Sequence, residues 1–115
     1  MADWTVYYNP KCSKCRQTKA LLDERSVDYE LIEYLTTPPS RAALDAVCDA
    51  LDGDAHAMLR TKDALVAELG LAAADRATVL DAIAKHPQLL ERPIVLGARG
   101  AVVARPPENV LALLG

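Results

Sequence analysis

Two cysteines separated by two residues stand in the stretch Tyr7-Tyr8-Asn9-Pro10-Lys11-Cys12-Ser13-Lys14-Cys15-Arg16. Thiols at that spacing can act as a nucleophile and a neighbour able to close a disulfide with it. The apolar run Trp4 to Tyr8 reads as a buried strand, Asn9-Pro10 as a turn, and Ser13 to Arg25 as a helix with Thr18, Leu21 and Leu22 on one face. Cys12 is therefore expected where a strand hands over to a helix N-terminus. Unpaired backbone N–H groups and the positive end of the helix dipole favour an anion there, and a thiolate is an anion. Lys11, Lys14 and Arg16 add positive charge. These conditions lower a cysteine pKa and make Cys12 the candidate nucleophile. Cys15, one helical turn on, is the candidate resolving thiol.

Other uses of a CxxC pair fit less well. A structural zinc ion needs four ligands, and the sequence has neither a second CxxC nor an HxxxH; His56 and His86 stand alone. No metal is expected. Two ordinary buried thiols would not need a strand-to-helix junction with three basic neighbours. The third cysteine, Cys48, falls on the apolar face Leu44, Val47, Cys48 and Leu51 and reads as a small core hydrophobe.

Three arginines are candidates for holding an anionic substrate beside such a thiolate. Arg60 closes the apolar segment Ala57-Met58-Leu59, Arg92 directly precedes Pro93 and a strand, and Arg105 directly follows a strand and precedes Pro106-Pro107. Guanidinium groups stay charged and bind tetrahedral oxyanions through paired N–H donors.

The elements that must position these residues follow from periodicity and punctuation. The first unit is strand Trp4–Tyr8, helix Ser13–Arg25 and strand Tyr29–Leu35, a parallel right-handed crossover. Thr36-Thr37-Pro38-Pro39 ends it, and Ser40 caps a helix from Arg41 to about Leu51. Short helical segments at Ala55–Leu59 and Asp63–Leu69 and a helix Thr78–His86 complete a helical lobe spanning about residues 40–91. The chain then returns to strands, Pro93–Leu96 and Ala101–Ala104 around a Gly97–Gly100 turn, and closes on a helix Glu108–Leu114 opened by Pro106-Pro107. The Arg92-Pro93 bond is expected to be cis, because the lobe must turn sharply into the sheet there. The order is βαβ, helical lobe, ββα. The fold class is α/β, a thioredoxin-like fold with a helical insertion between its halves, in a single domain over residues 1–115.

Composition narrows the function classes. With 115 residues, 51% of them hydrophobic and 25% charged, the chain suits one globular core. A net charge of −3 argues against non-specific nucleic-acid binding. No apolar run approaches membrane-spanning length, and no basic-then-apolar leader opens the chain. Three cysteines without a leader suit a reducing cytoplasm.

Asn9-Pro10-x-Cys12, Leu59-Arg60, Glu91-Arg92-Pro93-Ile94-Val95, Arg105-Pro106 and the phrase Tyr34-Leu35-Thr36-Thr37-Pro38-Pro39-Ser40-Arg41 occur in order over nearly the whole chain. This set resembles the motifs of the glutaredoxin-coupled arsenate reductase family. The resemblance implies a thioredoxin-like fold with a helical insertion, reduction of arsenate or a similar oxyanion to arsenite, Cys12 as nucleophile, and Arg60, Arg92 and Arg105 as oxyanion ligands. It also implies glutathione as co-substrate, glutaredoxin as partner, no bound cofactor and a monomer. The chain departs from the family at Tyr8, where a histidine is common, and at Cys15, where a hydroxyl residue is common. The family also includes CxxC-bearing regulators that bind RNA polymerase under thiol stress, and members that resemble glutathione-linked thiol reductases. Those are the alternative readings.

Overall fold

In the computed structural model, which describes residues 3–114, four strands form one sheet in the order β2-β1-β3-β4. β1 (Trp4–Tyr8) and β2 (Tyr29–Glu33) run parallel, with Val6 opposite Leu31. Helix α1 (Ser13–Glu24) makes the crossover between them. β3 (Ile94–Gly97) pairs antiparallel with β1, Val95 opposite Val6, and β4 (Gly100–Val103) pairs antiparallel with β3. This is the expected thioredoxin-like arrangement, with the helical lobe inserted between β2 and β3.

β1 is largely apolar, Thr5 apart, because it is central and covered on both faces. Its alternation divides the core in two. Tyr7 and Ile94 face the lobe, packing with Leu44, Val47, Cys48, Met58, Leu80 and Leu89 among others. Val6, Tyr8 and Val95 face the other way, toward Cys15, Leu22, Val110 and Leu113. The hairpin between β3 and β4 is tighter than the sequence suggests: Gly97 pairs with Gly100, which leaves only Ala98-Arg99 as the turn. Gly100 has φ +128°, a conformation that disfavours a side chain.

The lobe holds helices α2 (Arg41–Ala50), α3 (Ala64–Glu68) and α4 (Arg76–Lys85), joined by short 3-10 turns. Ser40 caps α2 as expected, its hydroxyl accepting from the Ala43 N–H at 3.1 Å. α4 starts two residues earlier than its apolar pattern suggests, because Asp75 caps it by accepting from the Thr78 N–H at 2.9 Å. β2 stops at Glu33, whose carbonyl accepts from both the Thr36 and Thr37 N–H groups and turns the chain.

The last segment differs in kind from the expected α-helix. Pro107–Leu113 is a 3-10 helix. Pro106 and Pro107 supply no N–H, and the buried residues Pro107, Val110 and Leu113 recur every third position. A 3-10 helix has three residues per turn and stacks such a series on one face, here against α1 and β4. The Arg92-Pro93 bond is cis, and so is Arg105-Pro106, which the sequence reading did not anticipate.

Candidate active site

The loop between β1 and α1 is held by its own asparagine. Asn9 accepts the Cys12 N–H on its carbonyl at 3.0 Å and the Lys11 N–H on Oδ1 at 3.0 Å. Its own N–H donates to Cys15 Sγ at 3.4 Å. The Oδ1 contact is a side-chain turn typical of asparagine and explains why this residue opens the loop. Arg16 closes the loop from the helix, donating from Nη1 to the Pro10 carbonyl at 2.9 Å.

Cys12 occupies the N-cap position of α1, with extended backbone at φ −95° and ψ 122°. Serine, threonine, aspartate or asparagine usually stands there and offers an oxygen to the first free N–H groups. The neutral thiol makes no such cap hydrogen bond. Burial pushes the Cys12 pKa up. The Cys15 N–H and thiol, the Arg92 charge and the Lys14 N–H together outweigh that effect, so the net direction is down. Arg105 also approaches the sulfur, with Nη1 at 3.8 Å from Cys12 Sγ. Cys15 behaves oppositely. Burial above all, together with the neighbouring Cys12, pushes its thiol up to about 12 against the pull of the Asn9 N–H. The pair therefore loses its first proton from Cys12. Among the charges that draw the Cys12 pKa down is Arg92, eighty residues away in sequence.

The sheet carries Arg92 and Arg105 to the loop. Arg92 immediately precedes the strand-opening Pro93, and the Ala104 N–H donates to the Pro93 carbonyl at 2.9 Å, which draws the end of β4 to the start of β3. Arg105 follows, and its Nη1 donates to the Arg92 carbonyl at 3.0 Å. Asn109 Nδ2 donates to the Val103 and Arg105 carbonyls and braces this corner. Arg60 comes from the lobe. The Arg60 N–H donates to the Leu89 carbonyl and the Glu91 N–H to the Met58 carbonyl, both at 2.7 Å, and Leu59 bridges Leu90. That short ladder puts Arg60 alongside the segment leading into Arg92. The structure thus brings Cys12, Cys15, Arg92 and Arg105 to one corner, with Arg60 on its border and no direct contact between Arg60 and Cys12.

Two further residues belong to this corner, and the sequence reading gave them no role. Tyr34 is almost fully buried just after β2. Burial above all raises its pKa, Cys15 adds to that, and the Arg92 charge, the Asn9 side chain and the Arg60 charge oppose it, with a net upward direction. Glu91 accepts from both Arg92 Nη1 and the Arg92 N–H at 3.1 Å. Its place beside Arg92 in the sequence was the available signal. Cys48 lies in the lobe core, away from this corner. Among the described residues, no group of three or more His, Cys, Asp and Glu side chains could hold a metal ion, and no helix is long and apolar enough to cross a membrane.

Comparison with known proteins shows the family. The model of the ArsC family matches residues 7–113. The chain is 44% identical to a protein named arsenate reductase from Neisseria meningitidis serogroup A, over 99% of this chain and 100% of that one. It is 39% identical to one of the same name from Haemophilus influenzae, over 95% and 97%. A solved structure described as arsenate reductase from Vibrio cholerae superposes with a TM-score of 0.90 at 39% identity, covering 98% of this chain and 99% of that one.

Proposed function

The chain belongs to the ArsC family, and on that premise we propose that it reduces arsenate to arsenite through a thiolate at Cys12. The observation that carries this reading is the corner itself. A buried thiol with a depressed pKa sits at a helix N-terminus, with the Arg105 guanidinium beside it and the Arg92 charge acting on it. Arsenate docks against Arg92 and Arg105, with Arg60 closing the lobe side. Their charge lets an anionic sulfur approach an anionic substrate. Cys12 Sγ attacks arsenic and one arsenate oxygen leaves as water. A second thiol then attacks the Cys12 sulfur. A disulfide forms, and the electron pair of the sulfur–arsenic bond stays on arsenic, which leaves as arsenite.

That second thiol is glutathione rather than Cys15. Burial, the largest cause of the raised Cys15 pKa, persists when Cys12 carries arsenic, so Cys15 remains a reluctantly ionised and poor attacking thiol there. A cleft of about 310 Å³ lined by Tyr8, Pro10, Lys11 and Leu35 among others opens beside the loop that carries Cys12. Glutaredoxin then clears the mixed disulfide. The protein works as a monomer in the cytoplasm and needs no bound cofactor.

The test is arsenate-dependent NADPH consumption in the presence of glutathione, glutaredoxin and glutathione reductase. The wild type should turn over and Cys12→Ser should not. Arsenate-independent NADPH loss, or equal rates for the two proteins, would remove this reading. The polymerase-binding alternative would show itself as a stable complex with the RNA polymerase α-subunit and no turnover of any oxyanion.

A further inference from the structure

Arg92 is oriented by its neighbour in the chain. The Glu91 carboxylate accepts from Arg92 Nη1 and from the Arg92 backbone N–H, both through Oε1 and both at 3.1 Å. The two side chains are largely shielded, 14% exposed for Arg92 and 22% for Glu91. Glu91 is itself tied down, because its backbone N–H donates to the Met58 carbonyl at 2.7 Å. The carboxylate therefore reaches Arg92 from a backbone anchored to the lobe.

The covalent shape of the guanidinium decides what this grip leaves free. Nη1 lies on the Cδ side of the group. The other side edge, Nε with Nη2, presents two parallel N–H donors, the geometry that matches two oxygens of a tetrahedral anion. Nε is buried and has no hydrogen-bond partner. A buried, unpaired charged donor is costly, and an arriving oxyanion would satisfy it. From Glu91 the contacts continue through the Arg92 carbonyl to Arg105 Nη1 at 3.0 Å, and from that nitrogen to Cys12 Sγ at 3.8 Å.

We propose that Glu91 is a positioning residue for substrate: by gripping Arg92 at Nη1 it aims the Nε–Nη2 edge at the oxyanion bound over Cys12. The inference rests on the oxyanion reading of the site given above. A carboxylate next to an anion site would otherwise only weaken binding, by cancelling part of the arginine charge. The two roles of Glu91 therefore predict opposite signs when the side chain is removed. If it aims Arg92, substrate binding falls. If it only neutralises, substrate binding improves.

Glu91→Ala removes the acceptor and the charge, while Glu91→Gln removes the charge and keeps an oxygen for Nη1. Arsenate kinetics in the coupled assay should show KM rising about tenfold in Glu91→Ala, the size of one charge-assisted hydrogen bond, with a smaller change in kcat. Glu91→Gln should recover most of that loss. A lowered or unchanged KM in Glu91→Ala, or equal losses in both variants, overturns the proposal. Thermal melts establish that each variant is folded. If Glu91→Ala does not fold, Glu91→Asp takes its place with the same expectation, since its shorter side chain withdraws the carboxylate from Nη1. A second readout needs no arsenate: the ratio of Cys12 alkylation rates with anionic iodoacetate and neutral iodoacetamide. Aiming predicts that the ratio falls below wild type in Glu91→Ala and stays at or above it in Glu91→Gln. A rise in Glu91→Ala overturns it. If the wild type fails to reduce arsenate, the reductase reading is lost, and the alkylation ratios still decide the role of Glu91.

Discussion

Cys12 and Cys48 are both thiols shielded from water, and they lie in the two different cores that the sheet separates. Burial raises the pKa of each. For Cys48 it wins: the Arg76 charge pulls down, the Asp49, Asp45 and Asp54 charges push up, and the net direction is upward. For Cys12 it loses to N–H donors, the Cys15 thiol and Arg92. Position along a helix explains much of the contrast. Cys12 caps the N-terminus of α1, where N–H groups are free. Cys48 sits in the last turn of α2, and its carbonyl already accepts from Leu51 and Gly53. The positive end of a helix dipole favours a thiolate and the negative end opposes it. Shielding alone makes a thiol inert, and shielding with donors aimed at the sulfur makes it a nucleophile.

The most severe way to break this contrast is to exchange the sulfurs for other atoms. Cys12→Ser should reduce arsenate turnover by about three orders of magnitude or more, because an unactivated hydroxyl replaces the attacking thiolate. Cys48→Ala should leave kcat/KM near wild type in the same coupled assay. Comparable losses in the two variants would mean that the lobe thiol takes part in the chemistry. Next in size come the arginines. Arg92→Ala and Arg105→Ala should each remove about 2–4 kcal/mol of transition-state stabilisation, as lost oxyanion contacts do. Circular dichroism should show both variants folded. Arg60→Ala should cost less than either, since Arg60 does not contact the sulfur.

Stability offers a smaller and opposite test. Cys48→Ser places a hydroxyl among Leu44, Val47, Met58 and Leu80, and should destabilise the protein by about 1–3 kcal/mol in urea unfolding. Its turnover per folded molecule should not change.

The same two regions show what could be read from residues alone. The loop was legible because it depends on neighbours in sequence: an apolar strand, Asn9-Pro10, then helical spacing. Cys48 was legible because α2 is regularly amphipathic. The arginines were not separable by pattern. Arg41 and Arg76 also end or open helices, yet the structure pairs them with Asp45, Asp49 and Asp81 across α2 and α4. Arg92 and Arg105 instead meet at the cysteine, and that meeting depends on the pairing of β3 with β4 and on a turn into the sheet. Their places at element ends make them candidates, and the motif resemblance is what sets them apart from the others. Lys11, Lys14 and Arg16 are visible as nearby cations in the sequence, whereas the Arg92 charge reaches Cys12 from eighty residues away and only through the fold. The pitch of the final helix is not legible, because a three-residue burial period in so short a segment looks helical in either form. Tyr34 is not legible as a site residue because its partners come together only in the tertiary structure, whereas the adjacency of Glu91 to Arg92 is visible in the sequence and its grip on Nη1 is not.

The smallest expected effect sharpens the comparison within the active loop itself. Cys15 is as shielded as Cys48 and its pKa is likewise raised, to about 12, so it stays protonated when Cys12 ionises. A protonated Cys15 has a hydrogen to give, and its thiol is among the groups that lower the Cys12 pKa. Removing it in Cys15→Ala should therefore raise the Cys12 pKa, without returning it to an ordinary thiol value, because the Cys15 and Lys14 N–H groups and the Arg92 charge remain. The sign follows directly. Only the thiolate reacts, so a plot of iodoacetamide rate against pH rises through the Cys12 pKa and then levels off. In the wild type the rise should fall at lower pH than for a free cysteine. In Cys15→Ala it should move to higher pH, and the rate at neutral pH should drop a few-fold. Cys15→Ser keeps a hydroxyl donor and should lie between the two. Turnover with glutathione should persist in both variants, since glutathione supplies the second thiol. If Cys15→Ala instead moves the rise to lower pH, the Cys15 thiol opposes the Cys12 anion. If the variant reacts normally and loses turnover, Cys15 is the resolving thiol, and the region's two cysteines share the chemistry that is assigned here to one.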